Sequence, residues 1–191
     1  LCDSLANIDF VMSMLLPSDV DNGIADRFQM EIMLSYTTKP VIFVAYGFGG
    51  CQDAVEMAEI VAGGEQPLEE KPNIACYINV ISGLIHNQES LQKLLFLASK
   101  NLPAIYIPSS TAGITSPITP AGALALDYAG VLVGLVLSQL KREGAPVFIP
   151  GMPPGQLDMR TMVSTYCEPE RGLAPALAHF YGLPMFSLGG A

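Results

Sequence analysis

Three features of the sequence predict an α/β fold built on a parallel sheet. Short apolar runs rich in β-favouring residues recur along the chain, at 8–16, 41–46, 74–80, 104–107, 147–149 and 183–186. Helical patterns follow the first five of them, at 21–37, 51–62, 87–100, 121–142 and 169–181. Successive runs start roughly thirty to forty residues apart, which is the length of one strand–helix unit. The runs are apolar on both faces, as in a parallel sheet that helices cover.

Proline residues and helix start signals mark the boundaries of these elements. Thr119 followed by Pro120 is typical of a helix N-cap and a first-turn proline. Asn87, with Ser90 in the first turn, is a similar start for the third helix. A proline directly or closely precedes each of four predicted strands: Pro40, Pro72, Pro103 and Pro146.

Six sequential strand–helix units make up most of a (β/α)8 barrel, which usually needs roughly 250 residues. We therefore predict that residues 1–191 form one incomplete TIM-type barrel domain, with about six sequential parallel strands and outer helices. A doubly wound sheet is the alternative. The GFGG turn at 47–50 lacks the third glycine of the dinucleotide-binding fingerprint, so it gives that alternative little support.

Composition excludes several classes of protein. The formal net charge of −9 argues against nucleic-acid binding, because phosphates need basic clusters. The cysteines, Cys2, Cys51, Cys76 and Cys167, form no CxxC motif and have no histidine at ligand spacing. This pattern predicts neither a disulfide framework nor a metal site, and reduced thiols indicate a cytoplasmic protein.

The apolar segment at 122–140 is nearly long enough to span a membrane, which takes roughly 20 residues. Asp127 near its middle would cost about 2.5–3.5 kcal/mol on insertion scales. We therefore expect no membrane insertion, but a helix pressed between the barrel and another surface, such as a partner subunit. The unpaired strand edges of a half-closed barrel also favour a homo-oligomer.

Ligands of parallel strand–helix folds bind at the carboxyl ends of the strands. Tyr46 and Phe48 flank a glycine just past the second strand, where their rings could hold an ammonium group by cation–π attraction. Asn79 lies at the end of the third strand. Arg160 could pair with a substrate carboxylate, although a structural pair with a glutamate explains it equally well. We interpret Tyr77 and Tyr106 as rings that fill the barrel, and His86 as a residue within reach of its mouth.

The segment at 108–120 is the longest and most polar of the strand-end loops. It ends on a helix N-terminus, where backbone N–H groups and hydroxyls can bind an anion or another polar group. No GxSxG elbow or Ser-His-Asp order appears in the sequence, so hydrolase chemistry has no support.

Several stretches occur together in an order that resembles one known family. They are TSPITPAGALALDYAGVLVGLVLSQL at 115–140, GAPV at 144–147, DMRT at 158–161, EPE at 168–170 and FYGLP at 180–184. In this order they resemble the trimethylamine–corrinoid protein methyltransferase (MttB-like) family. The resemblance covers most of the chain, and its 115–147 portion is the most specific.

The resemblance implies a (β/α)8 barrel that moves a methyl group from a tertiary or quaternary methylated amine to the Co(I) of a separate corrinoid protein. No cofactor is then bound tightly by this chain. Some members use trimethylamine in methanogenesis and carry pyrrolysine, whereas others lack pyrrolysine and use glycine betaine. The candidate substrate residues become Tyr46, Phe48, Asn79 and Arg160, and the corrinoid would approach Ser110, Gly113, Thr115 and Ser116.

Members of this family are considerably longer, so the chain is expected to be an internal or truncated piece that is inactive alone. The pyrrolysine position aligns near its glycine-rich end, and an amber codon or an incomplete gene would explain that end equally well. Two other hypotheses stay open. One is a different barrel enzyme, a lyase or isomerase with an anion site at 110–119, and the other is a non-catalytic remnant.

Overall fold

A curved sheet of six parallel strands forms the centre of the computed structural model, which describes residues 2–13, 17–82, 84–108, 110–151, 155–165 and 172–186. The order of the strands in the sheet is the same as their order along the chain. The sheet curls into a half-barrel. Its strands are β1 (Val11–Met12), β2 (Val41–Phe43), β3 (Ile74–Val80), β4 (Ala104–Pro108), β6 (Val147–Pro150) and β9 (Met185–Phe186).

Helices flank this sheet, and a second, smaller sheet accompanies it. The helices are α1 (Ala25–Tyr36), α2 (Phe48–Ala62), α3 (Glu65–Glu70), α4 (Gln88–Ser99), α5 (Pro120–Lys141) and α6 (Leu173–Tyr181). The small sheet consists of β5 (Thr111–Ala112), β7 (Gly155–Asp158) and β8 (Val163–Thr165). β5 runs parallel to β7, and β7 runs antiparallel to β8.

The two faces of the large sheet have separate cores because side chains alternate along each strand. On β3, Cys76 and Ile78 belong to the cluster that packs under the helices. Tyr77, between them, packs instead with Ile105 and Phe186 on the concave face. The concave face is the interior of the half-barrel.

The inner side of α5 packs closely on β4 because it carries small residues. A Cβ atom on Gly134 would lie 2.2 Å from the Tyr106 ring. Tyr106 therefore faces the helices rather than filling the barrel interior, contrary to the sequence-based interpretation. On its other flank α5 meets α6, where the Tyr128 hydroxyl donates to the Ala174 carbonyl at 2.8 Å.

The prediction of a partial barrel with six sequential parallel strands is confirmed. The small sheet and α3 were not predicted, because their segments are short and polar. α2 begins at Phe48, three residues earlier than expected. Thr119 occupies the N-cap position of α5, but its side chain makes no capping hydrogen bond. Residues 14–16 of the first predicted strand and 169–171 of the last predicted helix lie outside the described residues.

α5 is also long and apolar enough to cross a membrane, judged by length and composition alone. The core helix of a folded domain passes the same test. In α5, 39% of the most apolar window is buried inside the fold.

Candidate functional site

A cleft of about 240 Å³ opens at the carboxyl ends of β2 and β3, beside the first turns of α4. Parallel strand–helix folds bind their ligands at this edge of the sheet. The cleft is lined by Val44, Ala45, Tyr46, Tyr77, Asn79, Asn87, Glu89, Ser90 and Lys93.

Asp26 of α1 fixes the turn that carries Tyr46. The backbone N–H of Tyr46 lies 3.1 Å from each carboxylate oxygen of Asp26 and donates to them. Gly50 leaves room for that carboxylate, since a Cβ atom there would lie 1.7 Å from Asp26 Oδ2. With its backbone held in this way, the Tyr46 side chain is 49% exposed at the cleft.

Hydrogen bonds from α4 hold the opposite wall of the cleft. The Ser90 hydroxyl donates to the Asn79 carbonyl at 2.6 Å and lies 2.8 Å from Asn87 Oδ1. Lys93, only 8% exposed, donates from Nζ to the Ala45 carbonyl at 2.6 Å. A buried ammonium needs such a partner, and this bond ties α4 to the turn after β2.

Two buried thiols, Cys51 of α2 and Cys76 of β3, lie behind the cleft. A hydrogen bond with the Cys51 thiol, followed by burial, raises the pKa of Cys76 well above its ordinary value. Because the thiolate is the reactive form of cysteine, Cys76 is a structural residue rather than a nucleophile.

The cleft combines aromatic, amide and acidic groups. Tyr46 and Tyr77 supply rings, Asn79 and Asn87 supply amides, and Glu89 supplies a carboxylate. With the Lys93 ammonium in the same lining, such a set suits a small molecule that has both a positive centre and a negative or polar end, because rings and a carboxylate attract a cation and an ammonium attracts an anion. The volume of the cleft is below the range that is usual for binding pockets, about 300–1,000 Å³.

The structure brings together only some of the residues that the sequence nominated for the substrate. Tyr46 and Asn79 share the cleft. Phe48 is the first residue of α2, and its ring meets Phe96 of α4 edge-on at a centroid distance of 5.7 Å. It therefore packs in the helix layer and does not line the cleft. Arg160 lies in the turn between β7 and β8, on the small sheet.

The nominated loop at 110–116 forms a compact, internally bonded structure. The N–H groups of residues 114, 115 and 116 all point at the Thr111 carbonyl, at 2.9–3.2 Å, and the Gly113 N–H donates to the Ser116 carbonyl. The Thr115 hydroxyl accepts from the Thr111 N–H at 2.8 Å. These N–H groups are already used inside the loop, so an anion at 110–119 would have to bind hydroxyls or the first N–H groups of α5.

Gly113 occupies a position that favours glycine for two reasons. Its φ is +83°, in the left-handed region. A Cβ atom there would also lie 2.7 Å from Ile118 Cδ1. Ile114 and Ile118 are 53% and 74% exposed, so the loop presents apolar side chains outward.

The small sheet joins the 110–116 loop to the hairpin that carries Arg160. β5 pairs with β7 through Thr111 and Gly155, and the Gly155 N–H donates to the Ser110 carbonyl at 2.9 Å. At the hairpin turn, the carboxylate of Asp158 accepts from the Arg160 N–H and from the Thr161 hydroxyl. These bonds hold the pKa of Asp158 below its ordinary value. Glu168 and Glu170, the acids that could pair with Arg160, lie outside the described residues.

Sequence reasoning missed Asp127 as a member of this region. It is 7% exposed, and its Oδ1 has no hydrogen-bond partner among the described residues. Burial raises the pKa of Asp127 to about 6, against the opposing effect of the Ser110 hydroxyl and N–H. The buried hydroxyls of Ser110 and Ser116 make no hydrogen bond of ordinary geometry to a described residue, although Ser110 faces Asp127 closely enough to affect its pKa. One feature of the sequence could have identified Asp127. It is the only acidic residue of its apolar helix, and it lies four residues after Ala123 and seven before Gly134, on the same side of the helix.

His86 contacts β4 rather than the cleft. Its Nδ1 lies 2.7 Å from the Tyr106 hydroxyl, and the two rings are parallel with centroids 5.9 Å apart. Burial raises the pKa of Tyr106 to about 12, so the hydroxyl stays protonated and can donate to Nδ1. Among the described residues, no three His, Cys, Asp or Glu side chains are grouped so that they could share a metal ion.

A half-barrel of sequential parallel strands, with a polar and aromatic cleft at their carboxyl ends, places the chain among the (β/α)-barrel proteins. A family model described as trimethylamine methyltransferase (MTTB) matches residues 1–191, and the chain belongs to this family.

Curated relatives include the trimethylamine methyltransferase MttB of Desulfitobacterium hafniense (strain DSM 10664 / DCB-2), which is 32% identical over 193 residues. That match covers 99% of this chain and 39% of the relative. A glycine betaine methyltransferase of Desulfitobacterium hafniense (strain Y51) is 32% identical over 93% of this chain and 38% of its own length. A proline betaine:corrinoid methyltransferase of Eubacterium limosum is 29% identical over 61% of this chain and 24% of its own length. The chain thus spans about two fifths of the length of the first two of these relatives.

Proposed function

We propose that this chain is part of a methyltransferase that moves a methyl group from a tertiary or quaternary methylated amine to a corrinoid carried by a separate protein. The observation that carries the proposal is the cleft at the ends of β2 and β3, in a chain that belongs to the MTTB family. Relatives named for trimethylamine, glycine betaine and proline betaine support this substrate class.

In this proposal, the cleft holds the amine through its positive centre. Tyr46 and Tyr77 offer ring faces, and a cation above such a face gains about 0.5–1 kcal/mol at an exposed site. Glu89 adds an opposite charge to the cleft, which the Lys93 ammonium, bonded to the neutral Ala45 carbonyl, also lines.

The amides of Asn79 and Asn87 then orient the substrate. An amide offers both donors and an acceptor, so it can bind the N–H of a protonated amine or the carboxylate of a betaine. The Ser90 hydroxyl donates to the Asn79 carbonyl and so fixes the backbone from which the Asn79 amide projects.

We assign the approach of the corrinoid to the loop at 110–116, which follows β4 at the same end of the sheet as the cleft. The small, exposed Gly113 lets a flat macrocycle come close, and the exposed Ile114 and Ile118 offer it apolar contacts, whereas the Ser110 and Ser116 hydroxyls are buried beneath the loop surface. The corrinoid cobalt would supply the nucleophile that accepts the methyl group. This chain would align the amine with it, and misplacement by about 1 Å can cost roughly 100-fold in rate.

Tyr46→Ala in the full-length protein tests the substrate site. Titration calorimetry with trimethylamine and with glycine betaine should show affinity for the true substrate reduced by about 0.5–2 kcal/mol, because the cation–π contact is lost. Tyr36→Ala is the matched control, since Tyr36 is a tyrosine of α1 that is 81% exposed. Unchanged affinity in Tyr46→Ala would contradict the placement of the amine in this cleft.

A further inference from the structure

The outward side of α5 is an apolar stripe with no polar residue in it. Its members lie at helical spacing over 16 residues, which is about 23 Å of helix. Leu132, Val136 and Leu140 are 48%, 53% and 78% exposed. The stripe consists of Ala125, Ala129, Leu132, Val133, Val136 and Leu140.

The other sides of α5 are already covered. Its inner side packs on β4, with Gly134 against the Tyr106 ring. α4 packs along one flank, and α6 lies along the other, where Tyr128 bonds to Ala174. Further barrel strands would add at the free edges of the sheet, which are β1 and β9. α5 packs on β4 and β6, which are inner strands of the sheet, so strands added at either edge would not lie over the stripe.

The stripe is self-complementary in shape. Its amino-terminal half carries the small residues Ala125 and Ala129, and its carboxyl-terminal half carries larger ones. If two copies pair antiparallel about a two-fold axis, Ala125 of each meets Leu140 of the other and Ala129 meets Val136. Bulky side chains then fill the space above small ones, which is how helices approach closely. A parallel pair would instead oppose bulky residues to each other.

We propose that α5 forms the centre of a two-fold interface with a second copy of this chain, the two α5 helices running antiparallel. The absence of charge from the stripe argues against a partner recognised by charge. The exposed Leu173 and Phe180 of the adjacent α6 extend the apolar surface. If all of these side chains were fully covered, they would bury at most on the order of 600–800 Å² per copy, against roughly 800 Å² per partner in a stable interface.

Sedimentation equilibrium on the full-length protein gives the first test. Leu132→Lys and Val136→Lys should each weaken self-association at least tenfold, because a charge would be buried against a neighbour without a partner. Ile60→Lys is the matched control, since Ile60 is 80% exposed on α2, outside the stripe, and should leave association unchanged. A thermal melt of each variant shows whether it still folds. An unaltered protein that is monomeric at every concentration overturns the proposal, as does unchanged association in both stripe variants.

Thiol cross-linking tests the direction of pairing without relying on disruptive variants. In a background with Cys2 and Cys167 replaced by serine, Ala125→Cys and Leu140→Cys are prepared separately. A short bismaleimide should link a mixture of the two, and neither preparation alone. Links formed within the Leu140→Cys preparation alone indicate a parallel pair and overturn the proposal. Flotation of the unaltered protein with phosphatidylcholine vesicles, lost in Val136→Lys, would assign the stripe to a lipid surface and also overturn it.

Discussion

The cleft and the small sheet lie at the same end of the half-barrel, but they differ in how their polar groups are satisfied. Around the cleft, Asp26, Ser90 and Lys93 each have a backbone partner on a neighbouring element. Beside the small sheet, Ser110, Ser116 and Asp127 each bury an oxygen that makes no hydrogen bond of ordinary geometry to a described residue, although Ser110 and Asp127 face each other. Unpaired buried polar atoms are costly, each by about 1–3 kcal/mol.

This difference indicates a division of work between the two regions. A region whose polar groups are paired is preorganised, and it can bind a small molecule without first rearranging. A region with unsatisfied groups gains stability when water or another surface supplies the missing bonds. Under the proposed function, the cleft therefore suits the amine, and the small sheet suits a contact with the corrinoid protein that is made and broken in each cycle. Four substitutions test this contrast, in order of decreasing effect.

Ile114→Trp in the full-length protein should have the largest effect. The side chain is 53% exposed at the tip of the 110–116 loop, so a bulky ring there obstructs an approaching macrocycle. Methyl transfer to the corrinoid protein should fall by about 100-fold, because alignment is lost. Binding of the amine, measured by calorimetry, should be unchanged. Gly113→Phe is a poorer probe, because a φ of +83° strains any side chain at that position.

Ile60→Trp is the control for Ile114→Trp, because Ile60 is an exposed isoleucine on α2 and not on the loop. A normal rate of methyl transfer by Ile114→Trp would contradict the proposed role of the loop in binding the corrinoid. The loop would then serve only to connect β4 to α5.

Gly50→Ala should distort the cleft and lower the free energy of unfolding by about 1–3 kcal/mol, the usual cost of overpacking. Its Cβ atom would lie 1.7 Å from Asp26 Oδ2, so the carboxylate must move away from the Tyr46 N–H. Amine affinity should fall together with the melting temperature. Gly49→Ala is a close control, because no atom lies within 4 Å of its added Cβ. Equal stability of the two variants would show that Asp26 does not hold the turn.

Sequence alone predicts the strand order, because each apolar run and its helix form a local pattern. It also nominates Tyr46 and Asn79, which follow from the rule that ligands bind at strand ends. It does not give Lys93 or Asp26, because their bonds to the turn after β2 join residues that are 48 and 20 positions apart. Nor does the sequence show that Tyr46 lines the cleft while Phe48 packs in the helix layer. The side-chain directions of these two residues depend on where α2 begins, and helix ends are hard to place from sequence.

In the unaltered protein, the free energy of unfolding should fall as the pH rises and Asp127 ionises, and Asp127→Asn should remove this fall. The pKa of Asp127 rises from 3.8 to about 6 on folding, so the folded state holds its proton more tightly than the unfolded state. Stability from this group is therefore present below about pH 4 and is lost as the pH rises towards 6. Between pH 6 and 8 the asparagine variant should be more stable by about 1–2 kcal/mol, after allowance for solvent screening. Near pH 4 the two proteins should melt alike.

Asp158→Asn provides a control of opposite sign for Asp127→Asn. Hydrogen bonds to the Asp158 carboxylate lower its pKa, so its contribution to stability is present at neutral pH and is lost as the pH falls. The pH profile of Asp158→Asn should therefore diverge from that of the unaltered protein above pH 4, with the variant the less stable. Matching profiles for Asp127→Asn and the unaltered protein would mean that Asp127 is paired or hydrated in solution.

Thr119→Ala should have the smallest effect, although the sequence places Thr119 at a helix N-cap. A capping side chain is usually worth about 1 kcal/mol, since it accepts a bond from an otherwise unpaired N–H. Here Thr119 has the extended backbone of an N-cap, but its side chain makes no such bond. Denaturant unfolding should therefore show a change within about 0.5 kcal/mol, as for an ordinary surface substitution. Ser90→Ala, in the same experiment, removes the donor to the part-buried Asn79 carbonyl and should cost about 0.5–1.5 kcal/mol. A loss of about 1 kcal/mol in Thr119→Ala would mean that the cap forms in solution and that the start of α5 is tighter than the structure has it.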